Sequence, residues 1–331
     1  MFGSAWRAVP TPSVGRSAEA ERVRILLVGC SGFVGQALVP TLLEAGHTLT
    51  LVSRSAQPLP GLQHPQLQRL QADPSQAAAW QSLALQEALG AADAVVNLAG
   101  EPIAEQRWTP SHLQLLNNSR IHTTRALVAA MAALPQGQRP GVLINGSAIG
   151  YYGTSASQEF SEASPAGSDV LGRLCAAWEQ EARGAEALCR VVILRIGIVL
   201  GADGGALGKM LPVFRLGFGG PIGDGQQWMS WISRADLCAL ICEALVDQGY
   251  SGVYNAVAPQ PCSMAAFAAA LGRCLGRPSL LPVPGPLLQL LLGDGAKVVL
   301  EGQKVLPQRL QDQGFRFKHA ELTAALAAAT S

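Results

Sequence analysis

The sequence lacks an excess of charge of either sign and has no long hydrophobic run. Its 331 residues carry 24 Lys and Arg against 23 Asp and Glu, a formal net charge of +1. Because no basic run is present, we expect no contact with nucleic acid or with an anionic membrane. No uninterrupted apolar stretch reaches the roughly 18 residues of a spanning helix, since prolines break the apolar segment at 280–292.

The cysteines and histidines of the sequence do not have the spacing of a disulfide framework or of a metal site. The seven cysteines are odd in number and lie in apolar contexts, as reduced intracellular thiols do. Cys238 and Cys242 lie one helical turn apart without a nearby cluster of histidines or carboxylates, so we expect no metal site. We expect a cytoplasmic protein, although the Ser-, Pro-, Gly- and Arg-containing segment 1–22 also fits a plastid or mitochondrial transit peptide.

What the chain does have is a glycine-rich segment at 23–35, VRILLVGCSGFVG, which joins a buried strand to a helix start. Gly29 permits a tight turn, Gly32 lets the backbone approach a pyrophosphate, and Gly35 lets helix and strand pack closely. Free N–H groups at the start of the helix then hold the anion. The pattern predicts a dinucleotide-phosphate site, and an ordinary βα turn is the alternative.

The end of the next predicted strand, 47–53, indicates which dinucleotide binds. Ser53 and Arg54 stand where an acidic residue normally binds the ribose hydroxyls of NAD. A guanidinium there can bind a 2′-phosphate through two N–H groups, and the Ser53 hydroxyl can add a third contact. We therefore expect NADP(H) rather than NAD(H); the alternative is that Arg54 is a solvated loop residue.

Strand and helix patterns alternate along the first two thirds of the chain. Apolar runs predict strands at 25–28, 47–53, 67–71, 94–98, 141–146 and 190–196, and helical spacing predicts helices at 33–43, 75–89, 111–134 and 168–187. This alternation predicts an α/β fold, a doubly wound Rossmann sheet with helices on both faces. Later segments are less regular, with helical patterns at 235–246, 263–275 and 319–328. We expect a flexible extension at 1–22, an NADP-binding domain at 23–200, and a small substrate lobe at 201–331 interleaved with it.

Besides the glycines, several segments form a recognisable pattern: Asp73, NLAG at 97–100, GSAIGYYG at 146–153, LGRLCAAWE at 171–179 and GGPIGDGQQWMSWISRADL at 219–237. With these segments the chain resembles an extended or atypical short-chain dehydrogenase/reductase. More narrowly, it is similar to the NADP-binding epimerase family of uncertain activity that is sometimes labelled cell-division inhibitor. The resemblance runs from residue 23 to the C-terminus.

The resemblance implies contacts with the cofactor. Asp73 would accept a hydrogen bond from the adenine amino group, although it is also suited to cap the helix after Pro74. The turn at 97–100 would pass close to the ribose while bracing the sheet. Arg195, Trp231 and Asp236 match positions at the lobe interface, where an ordinary Arg–Asp contact is the alternative. The residues expected to bind the cofactor are Gly29, Ser31, Gly32, Phe33, Val34, Gly35, Ser53, Arg54, Asp73, Asn97, Leu98, Ala99 and Gly100.

The catalytic pattern of these enzymes is incomplete in this chain. They use a serine or threonine and a tyrosine, with a lysine four residues after the tyrosine. Matching Glu179 to the glutamate of that pattern puts Cys175 at the lysine and Leu171 at the tyrosine, and 160–183 contains no tyrosine or lysine. A leucine has no proton to give, and a thiol carries no positive charge.

The remaining candidates for catalysis are Ser147, Tyr151 and Tyr152. A tyrosine would protonate a carbonyl oxygen while hydride arrives from the nicotinamide, with Ser147 as a hydrogen-bond donor. Without the lysine the phenol stays a weak acid, with a reference pKa of about 10, so we expect slow chemistry. The alternatives are that both tyrosines only wall the pocket, or that Cys175 acts as a thiolate.

We expect an NADP(H)-binding oxidoreductase of the epimerase family, acting on an unknown small carbonyl or hydroxyl compound. One alternative is a sugar-nucleotide epimerase or dehydratase. Another is a non-catalytic NADPH-binding regulatory protein linked to cell or plastid division. The segment at 206–221 fits either an apolar substrate wall with a cationic rim or a core element that closes the lobe. A monomer and a homodimer fit the sequence equally.

Overall fold

The structure, a computed structural model, describes residues 22–55 and 61–330. The predicted extension at 1–22 therefore lies outside the described residues, except for Arg22. The strands are, in chain order, β1 (Arg24–Val28), β2 (Thr48–Ser53), β3 (Leu67–Gln71), β4 (Ala94–Asn97), β5 (Val142–Ala148), β6 (Glu159–Phe160), β7 (Arg190–Ile196), β8 (Ile198–Leu200), β9 (Trp228–Met229), β10 (Trp231–Ser233), β11 (Gly252–Ala256), β12 (Cys262–Ser263) and β13 (Lys304–Val305).

Twelve α-helices accompany these strands in the described part of the chain. They are α1 (Gly35–Glu44), α2 (Leu83–Ala91), α3 (Pro110–Asn117), α4 (Thr123–Ala133), α5 (Val170–Arg183), α6 (Gly205–Arg215), α7 (Arg234–Val246), α8 (Met264–Leu275), α9 (Gly285–Leu292), α10 (Lys297–Leu300), α11 (Gln308–Asp312) and α12 (Leu322–Thr330). Short 3₁₀ turns lie at Ala77–Gln81, Gln136–Gln138, Ile149–Tyr152 and Gly293–Ala296.

The centre of the fold is a seven-stranded parallel sheet in the order β11-β7-β5-β4-β1-β2-β3. Apolar side chains of α1 and α7 pack on one face, and those of α2, α4 and α5 pack on the other. Helices on both faces of a parallel sheet, with the strand order reversing beside β1, define the doubly wound Rossmann arrangement. The predicted fold class is confirmed.

All six predicted strands of this sheet are present, and β3 and β7 have the predicted bounds. The seventh strand, β11, was not predicted. It pairs in parallel with β7 through the register Tyr254 with Leu194 and Asn255 with Arg195. Because β11 comes after residue 200, the chain returns to the main sheet from the segment predicted as the lobe.

The predicted helix at 111–134 is present but is interrupted by a π turn. Residues Asn118–His122 form this turn between α3 and α4. A π turn inserts one residue into the helical spacing and frequently marks a functional position. Here it shifts the side chain of Arg120 relative to the apolar face that α4 packs on the sheet.

A separate apolar cluster joins α6, α8 and α12 beside the main sheet, with the fully buried Trp231 among its members. In α6 the residues Leu207, Leu211 and Phe214 are buried in this cluster, whereas Phe218 beyond the helix is exposed. One face of α6 is therefore a core element of the lobe, and the residues on its other face are exposed; Ala206 lines the cavity described below. Within the described ranges, we find no helix of the length and hydropathy that crossing a bilayer requires.

Candidate functional site

The glycine turn after β1 has the shape that the sequence predicts. Gly29 adopts a φ of +73°, and a side chain there would collide with the backbone of Ala99. A side chain at Gly35 would collide with the carbonyl of Cys30, so the start of α1 packs directly on the turn. By contrast, no atom lies within 4 Å of the Cβ position of Gly32. The backbone at Gly32 is therefore open to a ligand, as a phosphate-binding turn requires.

The strand ends beside this turn hold the residues predicted for the adenosine end. Arg54 follows β2 and is exposed, and its Nη2 lies 3.5 Å from Oε2 of Glu101. The Ser53 hydroxyl accepts a hydrogen bond from the Ser55 amide at 3.2 Å. Oδ1 of Asp73 accepts hydrogen bonds from Ser75, at 3.0 Å from its amide and 2.8 Å from its hydroxyl. Asp73 thus caps the turn that follows it, and its contact with adenine stays a prediction.

The turn at 97–100 is braced from inside the protein. The Asn97 amide nitrogen donates to Oγ1 of Thr124 at 2.9 Å and to Oδ1 of Asn145 at 2.7 Å, and its oxygen accepts from the Ala99 amide at 3.2 Å. Asn97 is fully buried. Its side chain therefore fixes the turn, and the cofactor contacts of Asn97, Leu98, Ala99 and Gly100 stay a prediction.

A cavity of about 510 Å³ lies at the carboxyl ends of β5 and β7. This is the edge of a doubly wound sheet at which ligands bind. Phe33 of the glycine turn, residues of α5, and the segment at 294–303 contribute to its walls. Most of the wall is apolar; its residues include Ile103, Leu113, Ala148, Leu171, Leu174 and Ile196.

Behind the cavity wall lies a buried polar network. Arg195 donates to both carboxylate oxygens of Glu179, from Nε to Oε1 at 2.8 Å and from Nη2 to Oε2 at 2.9 Å. The Ser147 hydroxyl donates to the same Oε1 at 2.8 Å. Nη1 of Arg195 donates to the Tyr152 hydroxyl at 2.9 Å, and that hydroxyl donates to Oδ1 of Asn255 at 2.6 Å. All five side chains are buried.

This network determines what the predicted catalytic residues can reach. Burial raises the pKa of Tyr152 to about 12, although the charge of Arg195 opposes the shift. The ring of Tyr151 lies under the guanidinium of Arg195, with its centroid 3.3 Å from Cζ. Ser147 lines the cavity, but neither tyrosine is part of its wall. The structure thus brings the three residues together around Arg195, and their catalytic role stays a prediction.

Cys175 and Arg120 also line the cavity, on α5 and on the π turn between α3 and α4. Cys175 is buried in α5, and burial raises the pKa of its thiol to about 12, with the charge of Arg120 opposing the shift. Arg120, in the π turn, is partly buried, and burial lowers the pKa of its guanidinium. A thiol with that pKa carries almost no thiolate near neutral pH, so the geometry does not support Cys175 as a nucleophile.

The alternative interpretation of Arg195, an ordinary contact with an aspartate at the lobe interface, is not observed. Arg195 pairs with Glu179, whereas the Asp236 carboxylate accepts hydrogen bonds from the amides of Lys318 and His319 at 2.6 and 3.1 Å. Asp236 therefore ties the C-terminal segment to the start of α7. The sequence analysis singled out both Arg195 and Glu179 but did not predict that they pair. Their contact depends on how α5 packs on β7, and no local sequence pattern shows that packing.

Arg120 is the site residue that the sequence reasoning missed. The sequence feature that could have indicated it is a basic residue within the predicted long helix at 111–134. The π turn changes the helical spacing at Arg120, so its direction differs from the one that a regular helix at 111–134 would give.

Comparison with known proteins extends these observations. Residues 25–256 match the NAD dependent epimerase/dehydratase family, and residues 283–329 match a domain of unknown function, DUF1731. The chain is 42% identical over 316 residues to the chloroplastic homolog of epimerase family protein SDR39U1 from Arabidopsis thaliana, covering 94% of this chain and 88% of that protein. It is 40% identical over 308 residues to SDR39U1 of Homo sapiens, covering 92% and 98%. The crystal structure of human SDR39U1, isoform 2, with NADPH superimposes with a TM-score of 0.81 and 37% identity, covering 92% of this chain and 98% of that one.

Proposed function

This chain belongs to the NAD dependent epimerase/dehydratase family, and on that premise we propose that it is an NADP(H)-binding oxidoreductase for a small carbonyl or hydroxyl compound. The observation that carries the proposal is that the glycine turn and the cavity lie at the same edge of the sheet. There the open glycine turn, with Arg54 at one end, leads into a largely apolar cavity. The human relative that superimposes on the chain was solved with NADPH.

The residues present fit a dinucleotide phosphate. The backbone at Gly32 is unobstructed, and the start of α1 at Gly35 directs its positive end toward the turn. Arg54 is exposed and free to exchange Glu101 for a 2′-phosphate, because an exposed ion pair at 3.5 Å contributes only about 0–1 kcal/mol. When bound there, the nicotinamide would supply or accept a hydride.

The side chains around the cavity determine how a substrate would be held. Phe33 closes the cofactor side of the cavity, and its ring packs against Gly204 and Gly205 at the start of α6. Arg234 donates to the carbonyl of Phe33 at 3.2 Å and pairs with Asp203 at 2.8 Å, which holds the loop before α6 against the glycine turn. These contacts hold Phe33 beside the region where hydride transfer would occur.

A non-catalytic NADPH-binding protein is the second candidate, and one observation favours it. The Ser147 and Tyr152 hydroxyls are both engaged in the buried network, so neither is directed at the cavity as a free proton donor. A sugar-nucleotide epimerase has less support, because it needs the Tyr–Lys pair that 160–183 lacks. We keep the predicted cytoplasmic location as part of the proposal, with a plastid as the alternative, because the Arabidopsis relative is named chloroplastic.

Calorimetric titration with NADPH and NADH tests the proposal directly. We expect NADPH to bind more tightly than NADH, and Arg54→Ala to weaken NADPH binding about tenfold with little effect on NADH. Arg215→Ala, an exposed change on α6 outside the cavity wall, is the matched control. If neither nucleotide binds, the proposed function is wrong. If NADPH binds but no carbonyl or hydroxyl compound changes its absorbance, the non-catalytic candidate is favoured.

A further inference from the structure

Arg120 is an enclosed cation without a carboxylate partner in the described part of the chain. Its Nη2 donates to the carbonyl of Glu101 at 2.9 Å, and its Nη1 lies 3.4 Å from the carbonyl of Leu116. Its Cζ lies 5.4 Å from the centre of the Trp178 ring. These hydrogen-bond partners are neutral. The charge of the Glu101 carboxylate, which pairs with Arg54, also acts on Arg120, but burial outweighs it and lowers the pKa of the guanidinium. A guanidinium keeps its charge in proteins. A partly buried cation with neutral hydrogen-bond partners favours an anionic ligand, because its charge is screened less than it would be in bulk water.

The position of Arg120 directs that charge into the cavity. The guanidinium packs across Gly100, where an added Cβ would lie 3.0 Å from Cζ. It therefore stands between the turn at 97–100 and the cavity, of whose wall it is a part. The other charged residues of the wall are exposed, so their charge is shared with solvent; they are Asp169, Asp294, Lys297 and Glu301.

We propose that Arg120 binds the carboxylate of a substrate whose remaining body is apolar. This inference rests on the proposed function and narrows its substrate class. A planar guanidinium matches a carboxylate through two parallel hydrogen bonds. Most of the cavity wall is apolar, including Ile103, Leu113, Leu171 and Leu174, and suits the apolar body of such a ligand; polar side chains such as Thr154, Ser230 and Gln303 are fewer. A nucleotide diphosphate would also need more enclosed positive charge than one arginine supplies.

The test is calorimetry on the NADPH-loaded protein with two matched ligand pairs. The probes are cyclohexanecarboxylate and 4-phenylbutanoate, each compared with its neutral amide of the same shape. We expect the dissociation constant of each acid to be at least about tenfold lower than that of its amide. A charge-assisted hydrogen bond contributes a free energy of that size. Arg120→Met should abolish the preference, and Arg120→Lys should keep part of it. Lys297→Met, a change of the exposed cation of the wall, should leave the preference in place.

Each result decides between the proposals. Failure of the wild-type protein to bind NADPH would overturn the proposed function itself. Normal NADPH binding with no preference for the acid in either pair would overturn only the role of Arg120. Loss of NADPH binding in both Arg120 variants, with unchanged thermal unfolding, would assign the arginine to the cofactor and would also overturn it. Arg120→Lys keeps the test informative if Arg120→Met unfolds.

Discussion

Arg195 and Glu179 form a buried ion pair that joins the end of β7 to α5 immediately behind the cavity. Two parallel hydrogen bonds of 2.8 and 2.9 Å connect them, and each side chain is 3% exposed. Burial alone would lower the pKa of the Arg195 guanidinium, but the hydrogen bonds and charge of Glu179 outweigh it and raise the pKa above its usual value. Arg195 also contacts both tyrosines of the turn after β5, so the pair fixes the wall from which Ser147 projects.

Glu179→Gln should reveal how much the fold depends on this pair. The variant keeps the shape of the side chain but leaves Arg195 as an uncompensated buried charge. We expect the free energy of unfolding in urea to fall by about 3–5 kcal/mol. Glu186→Gln changes an exposed partner of Arg183 and should cost about 0–1 kcal/mol. A loss below about 1 kcal/mol for Glu179→Gln would contradict this account of the pair.

The sequence predicted the central strands of the main sheet well because β1, β4, β5 and β7 are largely buried on both faces. The runs at 25–28 and 190–196 are apolar throughout or nearly so, and glycine or polar residues separate them from their helices. The strand β11 escaped notice because its five residues, GVYNA, include a buried Asn255 that interrupts the apolar pattern. The Asn255 side chain accepts a hydrogen bond from the hydroxyl of Tyr152, which lies 103 positions away in the sequence. A local pattern does not show such a contact.

The candidate site could be predicted only in part, for the same physical reason. The glycine turn is local, so the spacing of Gly29, Gly32 and Gly35 was sufficient to predict its shape. The direction of Tyr152 depends on Arg195 and Asn255, which lie on other strands. The orientation of Arg120 depends on a π turn, for which the sequence gives no periodic signal. Contacts between distant segments therefore account for what the sequence left open.

Gly32→Ala should separate cofactor binding from folding. No protein atom lies within 4 Å of the new methyl group, so we expect little change in thermal unfolding. If a pyrophosphate approaches the backbone at Gly32, the methyl group should weaken NADPH binding about tenfold or more, measured by calorimetry.

Gly137→Ala is the matched control for that experiment, because its Cβ position is equally open but lies in a 3₁₀ turn outside the cavity wall. It should leave NADPH binding unchanged. Equal affinities for wild type and Gly32→Ala would place the phosphates elsewhere.

Cys175 should resist alkylation in the native protein. Its pKa is raised to about 12, so at pH 8 roughly one thiol in ten thousand is ionised, and iodoacetamide reacts with the thiolate. Mass spectrometry should find Cys274, the exposed cysteine, modified first, and urea should make both reactive. Rapid modification of native Cys175 at pH 8 would contradict the predicted protonation state and favour a thiolate role.

The raised pKa of Cys175 also makes the stability of the fold depend on pH in the alkaline range. The folded-state pKa of Cys175 lies above that of an unfolded thiol, about 9, so folding favours the protonated form. This contribution is fully present below about pH 9 and is lost as the pH rises toward about 12. Unfolding in urea at pH 8 and pH 10 should show Cys175→Ala losing less stability with rising pH than the wild type.

Tyr152→Phe separates a structural tyrosine from a catalytic one. The change removes the hydroxyl that donates to Asn255 and accepts from Arg195, both buried, and we expect the free energy of unfolding to fall by about 1–3 kcal/mol. Tyr151→Phe keeps the ring under Arg195 and should cost less than about 0.5 kcal/mol.

If Tyr152 only supports the wall, the folded variant should bind NADPH normally and should oxidise it with any accepted substrate at nearly the wild-type rate. A general acid contributes about 10²–10⁴-fold, so a loss of turnover of that size with unchanged stability would make Tyr152 the proton donor. The network around Arg195 would then have to open during the reaction, because the tyrosine hydroxyl can reach the cavity only by leaving Asn255.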